Sequence, residues 1–181
     1  MKIQSIKVLL ALATMTLLQG CSSMNVDMYQ NEKPQLDLFS YFDGYTKAYG
    51  QFQNRSGQLI RRFEVDIQGS INKQAEQLKL DESFVYHDGE KQTRVWYIDR
   101  AGDKRYSGKA DDVIGQANGK VAGNAFRWQY TLDLPYKNGT IHVQFDDWMY
   151  LHNDKIMLNR AEVTKWGFKV GEVTLVFIKQ E

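Results

Sequence analysis

The feature that most narrows the fold of this chain is a period-two alternation of apolar and polar side chains running from Tyr45 almost to the end. In Ala125 to Leu134, Phe126, Trp128, Tyr130, Leu132 and Leu134 fall on one side, with Arg127, Gln129, Thr131 and Asp133 on the other. A β-strand has this period, and such a strand buries one face and wets the other. The pattern recurs in Leu59, Phe63, Val65 and Ile67, in Leu78, Leu80, Phe84 and Tyr86, in Ile141, Val143, Phe145, Met149 and Leu151, and in Val173, Leu175 and Phe177. Between the runs lie turn signals: Asn54 to Gly57, His87-Asp88-Gly89, Arg100 to Asp103, Asn118-Gly119, Lys137-Asn138-Gly139 and His152-Asn153-Asp154. Asn-Gly and Asp-Gly supply the positive φ angles that tight hairpins need.

These signals predict an all-β chain, an antiparallel up-and-down β-barrel of about nine or ten strands. A barrel leaves no exposed sheet edge; a two-sheet sandwich is the alternative. Leu36 to Gly44 is predicted as a short N-terminal helical plug for one end. A barrel spanning a membrane would turn apolar residues outward, whereas here the wet faces carry Arg62, Glu64, Asp66, Arg127 and Asp133.

The start of the chain reads differently. Lys2 and Lys7 precede an apolar run from Val8 to Leu18, then Gln19-Gly20-Cys21. A basic start, a short apolar core and a small residue before the cut describe a secretory signal, and the core is too short for a permanent membrane span. Cys21 is the only cysteine, and its position resembles the lipobox of bacterial lipoproteins. Residues 1–20 are thus expected as a leader, Cys21 as a lipidated first residue, 21–35 as a polar tether and 36–181 as one barrel domain. An ordinary signal with a chance cysteine is the alternative. By analogy with proteobacterial sorting, Ser22 after the cysteine fits an acyl anchor in the outer membrane, facing the periplasm.

Two of the 23 basic residues fall in the leader, against 22 acidic ones, so the mature chain is near neutral. Without a basic stripe, nucleic acid is not an expected partner. No Cys/His metal spacing, phosphate loop or G-x-S-x-G elbow is present, so no metal and no cofactor are expected. The adjacent Asp146 and Asp147 point to opposite faces of a strand and cannot form a converging catalytic pair. The chain is not expected to be an enzyme, and a monomer is expected.

Continuing the alternation places four charges among the apolar residues: Arg61, Glu82, Arg94 and Asp147. Isolated buried charges are too costly to persist, so these should pair or meet water. One reading is an internal salt-bridge network fixing strand register. The other is a polar base to a cavity, with Phe84, Trp96, Phe126, Trp128 and Met149 as its apolar lining. Trp148 and Tyr150 are expected on the outer face.

Several motifs resemble an uncharacterised proteobacterial lipoprotein family, domain of unknown function 3833. They are Phe42-Asp43-Gly44, Tyr86 to Glu90, Arg94-Val95-Trp96, Tyr106 to Ala110, Gly123-Asn124-Ala125, Asp146 to Tyr150, Asn159 to Glu162 and Lys165 to Phe168. The resemblance implies a lipocalin-like barrel tethered in the cell envelope, and transfers no catalytic residue. Taken together, these readings lead to an anchored protein that binds a lipid or other amphipathic small molecule. The alternatives are a structural envelope protein with a packed barrel and no ligand, or an accessory enzyme of lipid modification.

Overall fold

The computed structural model describes residues 24–136 and 138–180. Ten strands follow one another: β1 (Gly44–Asn54), β2 (Leu59–Asn72), β3 (Gln77–Tyr86), β4 (Lys91–Arg100), β5 (Arg105–Lys109), β6 (Ala117–Ala122), β7 (Ala125–Tyr136), β8 (Gly139–Leu151), β9 (Ile156–Lys165) and β10 (Phe168–Lys179). Each pairs antiparallel with the next, and β1 pairs with β10, which closes the sheet. The barrel is therefore up-and-down, as the alternation implies, and not a sandwich.

Register follows the apolar pattern. Phe126 lies opposite Met149, Trp128 opposite Asp147, Tyr130 opposite Phe145 and Leu132 opposite Val143. A one-residue slip would turn every one of these outward. One turn signal fails: Asn118-Gly119 sits inside β6. The Trp128 and Phe126 rings occupy the space where a Cβ of Gly119 would stand, so this glycine serves close packing and not a turn.

The two ends of the barrel differ. At one end the expected plug is present as α1 (Leu38–Phe42), with Leu38, Phe39, Tyr41 and Phe42 all buried. Asp37 caps it by accepting from the Ser40 amide at 2.8 Å. Phe42 packs edge-on against Phe177 at 5.6 Å, and Phe39 meets Tyr106 at 5.9 Å. Lys179 Nζ donates to the carbonyls of Ser40, Tyr41 and Asp43, which satisfies the helix C-terminus. Below the plug, Leu78, Ile67 and Met157 are fully buried, each contributing roughly 1.5–3 kcal/mol of burial. This half is solid.

Of the stretch expected as a tether, Met24–Gln35 is folded onto the outer wall. A 3-10 turn (Val26–Tyr29) covers Ala122, Ala125 and Trp148. Leu36 N–H donates to the Gly123 carbonyl at 2.8 Å. The reason is apolar: β6, β7 and β8 present an outward patch here, and Val26 and Tyr29 bury it.

Gly69 admits the plug, because a Cβ there would collide with the Phe42 carbonyl oxygen. Gly69→Ala is expected to lower unfolding free energy by about 1–3 kcal/mol, the usual range for overpacking. Gly139→Ala, whose Cβ meets open space, is expected to stay within about 0.5 kcal/mol of the parent. Urea unfolding of the two variants checks this pair.

Candidate functional site: the open half of the barrel

The hairpin and loop connections β1–β2, β3–β4, β5–β6, β7–β8 and β9–β10 gather at the end opposite α1. Here the inward side chains change character. Phe63, Phe84, Tyr86, Tyr130 and Leu175 are only half-buried, although the register places them on the inner face. An inward side chain can meet solvent only through space inside the barrel or at its mouth. The open half is therefore a cup with aromatic walls on the β2–β3 side, while on the β7–β9 side Leu132, Val143 and Val163 pack into a second buried cluster.

Its base is polar. Glu82 on β3 lies opposite Arg94 on β4, with Glu82 Oε2 4.0 Å from Arg94 Nη1 and side chains 13% and 15% exposed. Arg94 spends its fork elsewhere. Its Nε donates to both Asp112 oxygens at 3.0 Å, and its Nη2 donates to Oδ2 at 2.6 Å. Asp112 comes from the β5–β6 loop, which is laid along β7 as a strap. Ile114 N–H donates to the Thr131 carbonyl, Asp133 N–H donates to the Asp112 carbonyl, and Val113 bridges to Leu132. Across the barrel, Asp147 on β8 is 6% exposed, with Tyr130 and Asn159 as its hydrogen-bonding neighbours.

All nine residues expected in the cavity face inward, but they do different things. Glu82, Arg94, Trp96, Trp128 and Asp147 converge near Tyr130, where Trp96 meets Trp128 at 5.8 Å and Tyr130 at 5.4 Å. Phe126 is buried on the plugged side against Tyr106, with Met149 packed behind it. Phe84 forms the wall with Phe63 and Tyr86. Arg61 does not join the interior carboxylates. It stacks 3.5 Å over Tyr86 and pairs at the rim with Asp88 and Glu90. The pairing expected among four interior charges thus reduces to one contact, because two acidic turn residues lie closer to Arg61. Trp148 and Tyr150 point outward, beneath Tyr29.

Asp112, Tyr130 and Asn159 complete the base. Asn159 shares the inward series of β9 with Met157, Ala161 and Val163, so the alternation that exposed Asp147 marks it too. Asp112 lies in a loop, where no periodicity points to it. Two grooves, of about 600 and 460 Å³, touch none of the nine; the first runs over β10, β1, β2 and β3 and reaches Phe63, Tyr86 and Leu175, and the second runs over β7, β8 and β9 and reaches Tyr130 and Phe145. Among the described residues no set of three or more His, Cys, Asp or Glu side chains is placed to hold a metal. Cys21 lies outside the described residues.

A family model described as protein of unknown function, DUF3833, matches residues 15–179. The chain belongs to this family. No curated protein matches the sequence. The DUF3833 barrel resembles the S-type phycobiliprotein lyase CPES from Guillardia theta, with a TM-score of 0.58 and 8% identity over 88% of this chain and 99% of the other. It also resembles a protein of unknown function from the DUF3598 family of Nostoc punctiforme, with a TM-score of 0.58 and 12% identity over 82% of this chain. The match takes in 51% of that second protein, so this chain spans about half its length. At these identities the likeness is one of fold: a lipocalin-like barrel.

The electrostatics of the DUF3833 cup are unbalanced. Three interior carboxylates, Glu82, Asp112 and Asp147, face one guanidinium. Burial pushes Glu82 up to about 7; Arg94 opposes this, while the Asp112 and Asp147 charges add to it. Burial also pushes Asp147 up to about 7 against the pull of Tyr130 and Asn159. Burial pulls Arg94 down, yet the surrounding carboxylates outweigh it and its net shift is upward. Tyr130 is driven far up by burial and by Asp147 beside it. Near neutral pH both carboxyls therefore change protonation. Such a base can hold a proton or accept donors from a bound molecule.

Both folded values lie above those of the unfolded chain, so the folded state holds the extra protons. Stability is expected to fall as pH rises from about 4 to about 7 and then to level off. Glu82→Gln removes one of these charges. At pH 8 it is expected to raise unfolding free energy by about 1–3 kcal/mol, and at pH 4.5 to change little. Denaturant titration at both values checks this; a loss of stability at pH 8 would contradict it.

Proposed function

We propose that this protein is a lipid-anchored envelope protein that binds an amphipathic small molecule in the open half of its barrel. The observation carrying the proposal is the contrast between the two halves. The plugged half is packed around α1, while the other half, filled on the β7–β9 side by Leu132, Val143 and Val163, keeps half-buried aromatic walls over a polar base on the β2–β4 side. Ligand sites have this composition: apolar surroundings with a few convergent polar groups. An amphipathic molecule would place its apolar part against Phe63, Phe84, Tyr86 and Leu175. Its head would reach Glu82, Arg94 and Asp147.

The lipobox-like run ending at Cys21 supports the anchor. Two residues, Ser22 and Ser23, lie between Cys21 and Met24, a span of three Cα steps that reaches roughly 10 Å when fully extended. Met24 lies against the outer wall, where its carbonyl accepts from Arg127 Nη1 at 3.4 Å. An acylated Cys21 would hold that wall close to the bilayer, and Ser22 fits export to the outer membrane. The rival reading, a solid barrel meeting a partner through Trp148 and Tyr150, lacks a free surface at those residues, since Val26 and Tyr29 cover them.

Native mass spectrometry of the protein released gently from membranes is expected to show a small molecule bound one to one. Phe84→Ala is expected to reduce its retention about tenfold or more, since a buried aromatic ring contributes roughly 1.5–3 kcal/mol. A ligand-free parent would contradict the binding. For the anchor, Cys21→Ser is expected to move the protein from the membrane fraction to the soluble periplasm; an unchanged membrane-bound product would contradict it.

A further inference from the structure

Three neighbouring hairpin tips carry apolar side chains that the fold does not bury. β8 pairs with β9 and β10 pairs with β1, so the β7–β8, β9–β10 and β1–β2 connections stand side by side on the rim opposite α1. Tyr136, Trp166, Phe168, Leu59 and Ile60 are all exposed there. Leu59 pairs with Gln53 and Arg61 with Phe52, which leaves Ile60 between them as the extra residue of a β-bulge.

Trp166 is the most informative of the five. Lys165 pairs with Phe168, so Trp166 and Gly167 alone make the turn, at φ 51° and 80°. A two-residue turn of this kind favours Asn-Gly, and a bulky side chain at positive φ is strained. Burial does not compensate, because Trp166 is 82% exposed and Phe168 beside it 76%. Trp96, Trp128 and Trp148 are all buried. A strained, exposed indole on a hairpin tip points to contact with something outside the chain.

The charges on the tips say what that is. Residues 54–60, 136–140 and 164–169 contain Arg55, Lys137, Lys165 and Lys169 and no Asp or Glu. Lys165 Nζ lies 4.2 Å from the Trp166 ring centroid, and Lys169 pairs with Glu172 at 2.8 Å. The β3–β4 turn, His87 to Glu90, has two acids and no apolar side chain, so basic and apolar character coincide on the same three tips. Trp and Tyr beside Lys and Arg make up the belt that proteins place at a membrane–water interface, and such cations are drawn to anionic lipid. The rings stand on separate turns, which a fluid surface can receive one by one.

We propose that these three tips dip into the interface of a bilayer containing anionic lipid, with Trp166 and Phe168 deepest. This contact does not depend on a ligand in the cup, and it adds a second membrane contact to the proposed acyl anchor. Met24 is held beside Arg127 near the start of β7, and Tyr136 ends that strand. Anchor and tips therefore reach one bilayer when the barrel lies along it.

The test reconstitutes the protein, with its native amino terminus, in phosphatidylcholine vesicles containing about 30% phosphatidylglycerol as the anionic lipid and bromine on the acyl chains. Bromine quenches an indole that it touches, so emission is expected to fall by the share of one tryptophan among the four. Trp166→Asn, which suits the turn, is expected to keep the melting temperature and to abolish the fall. Omitting phosphatidylglycerol, or replacing Arg55 and Lys165 together by Gln, is expected to reduce the fall at least about threefold, since each cation adds to the attraction. An unquenched parent, quenching that persists in Trp166→Asn, or equal quenching with and without phosphatidylglycerol would overturn the proposal. Cross-linking of two copies through Lys165, with no quenching, would overturn it by giving the tips to a second copy of the chain.

Discussion

Closure of the sheet between β1 and β10 is the constraint on which the rest depends. Once closed, the sheet has an inside, and each strand sends alternate residues into one shared volume. Ten strands enclose more width than an eight-stranded barrel, whose side chains just suffice to fill it. This chain fills one end with an extra element, α1, admitted by Gly69 and held by Lys179. Toward the middle, Gly108 and Gly119 thin the wall so that Trp128 can lie flat against it. Beyond Trp96 and Trp128 no helix plugs the barrel among the described residues; Leu132, Val143 and Val163 form a smaller buried cluster there, and the β5–β6 strap, tied by Arg94 and Asp112, packs Val113 against it.

That asymmetry lets the barrel tolerate an acidic surplus. Three carboxylates and one guanidinium in a dry core would be ruinous. Here the surplus sits where the packed half gives way to the cup, so a proton or a bound group can reach it. The cost appears as raised carboxyl pKa values at Glu82 and Asp147, and it falls on stability above neutral pH. Packing in the plugged half offsets that cost.

The strands and their inward residues were legible because burial on one side of a twisted sheet imposes a strict period of two. Glu82, Arg94 and Asp147 stood out as violations of that period, and all three form the base of the cup. What stayed hidden follows no period. Asp112 and the strap lie in a loop, and their role rests on backbone pairing with β7. The partners of Arg61 lie in a turn, where sequence order does not reveal reach. Gly119 carried a turn signature because Asn-Gly suits hairpins, yet the indole of Trp128 demanded a residue without a side chain. Met24–Gln35 looked like a tether because it is polar overall, yet Val26 and Tyr29 dock it, helped by the Lys120–Asp27 ion pair and by Arg127 at the Met24 carbonyl.

The central claim is that Glu82 and Asp147 are buried carboxyls without sufficient positive charge to hold them ionised. Site-resolved carbon NMR of their carboxyl groups across pH 3 to 9 addresses it directly. This account predicts that both carbons titrate near pH 7 in the ligand-free protein. Titration of both near pH 4, the ordinary carboxylate range, would show that the base of the cup is electrostatically satisfied and would contradict it.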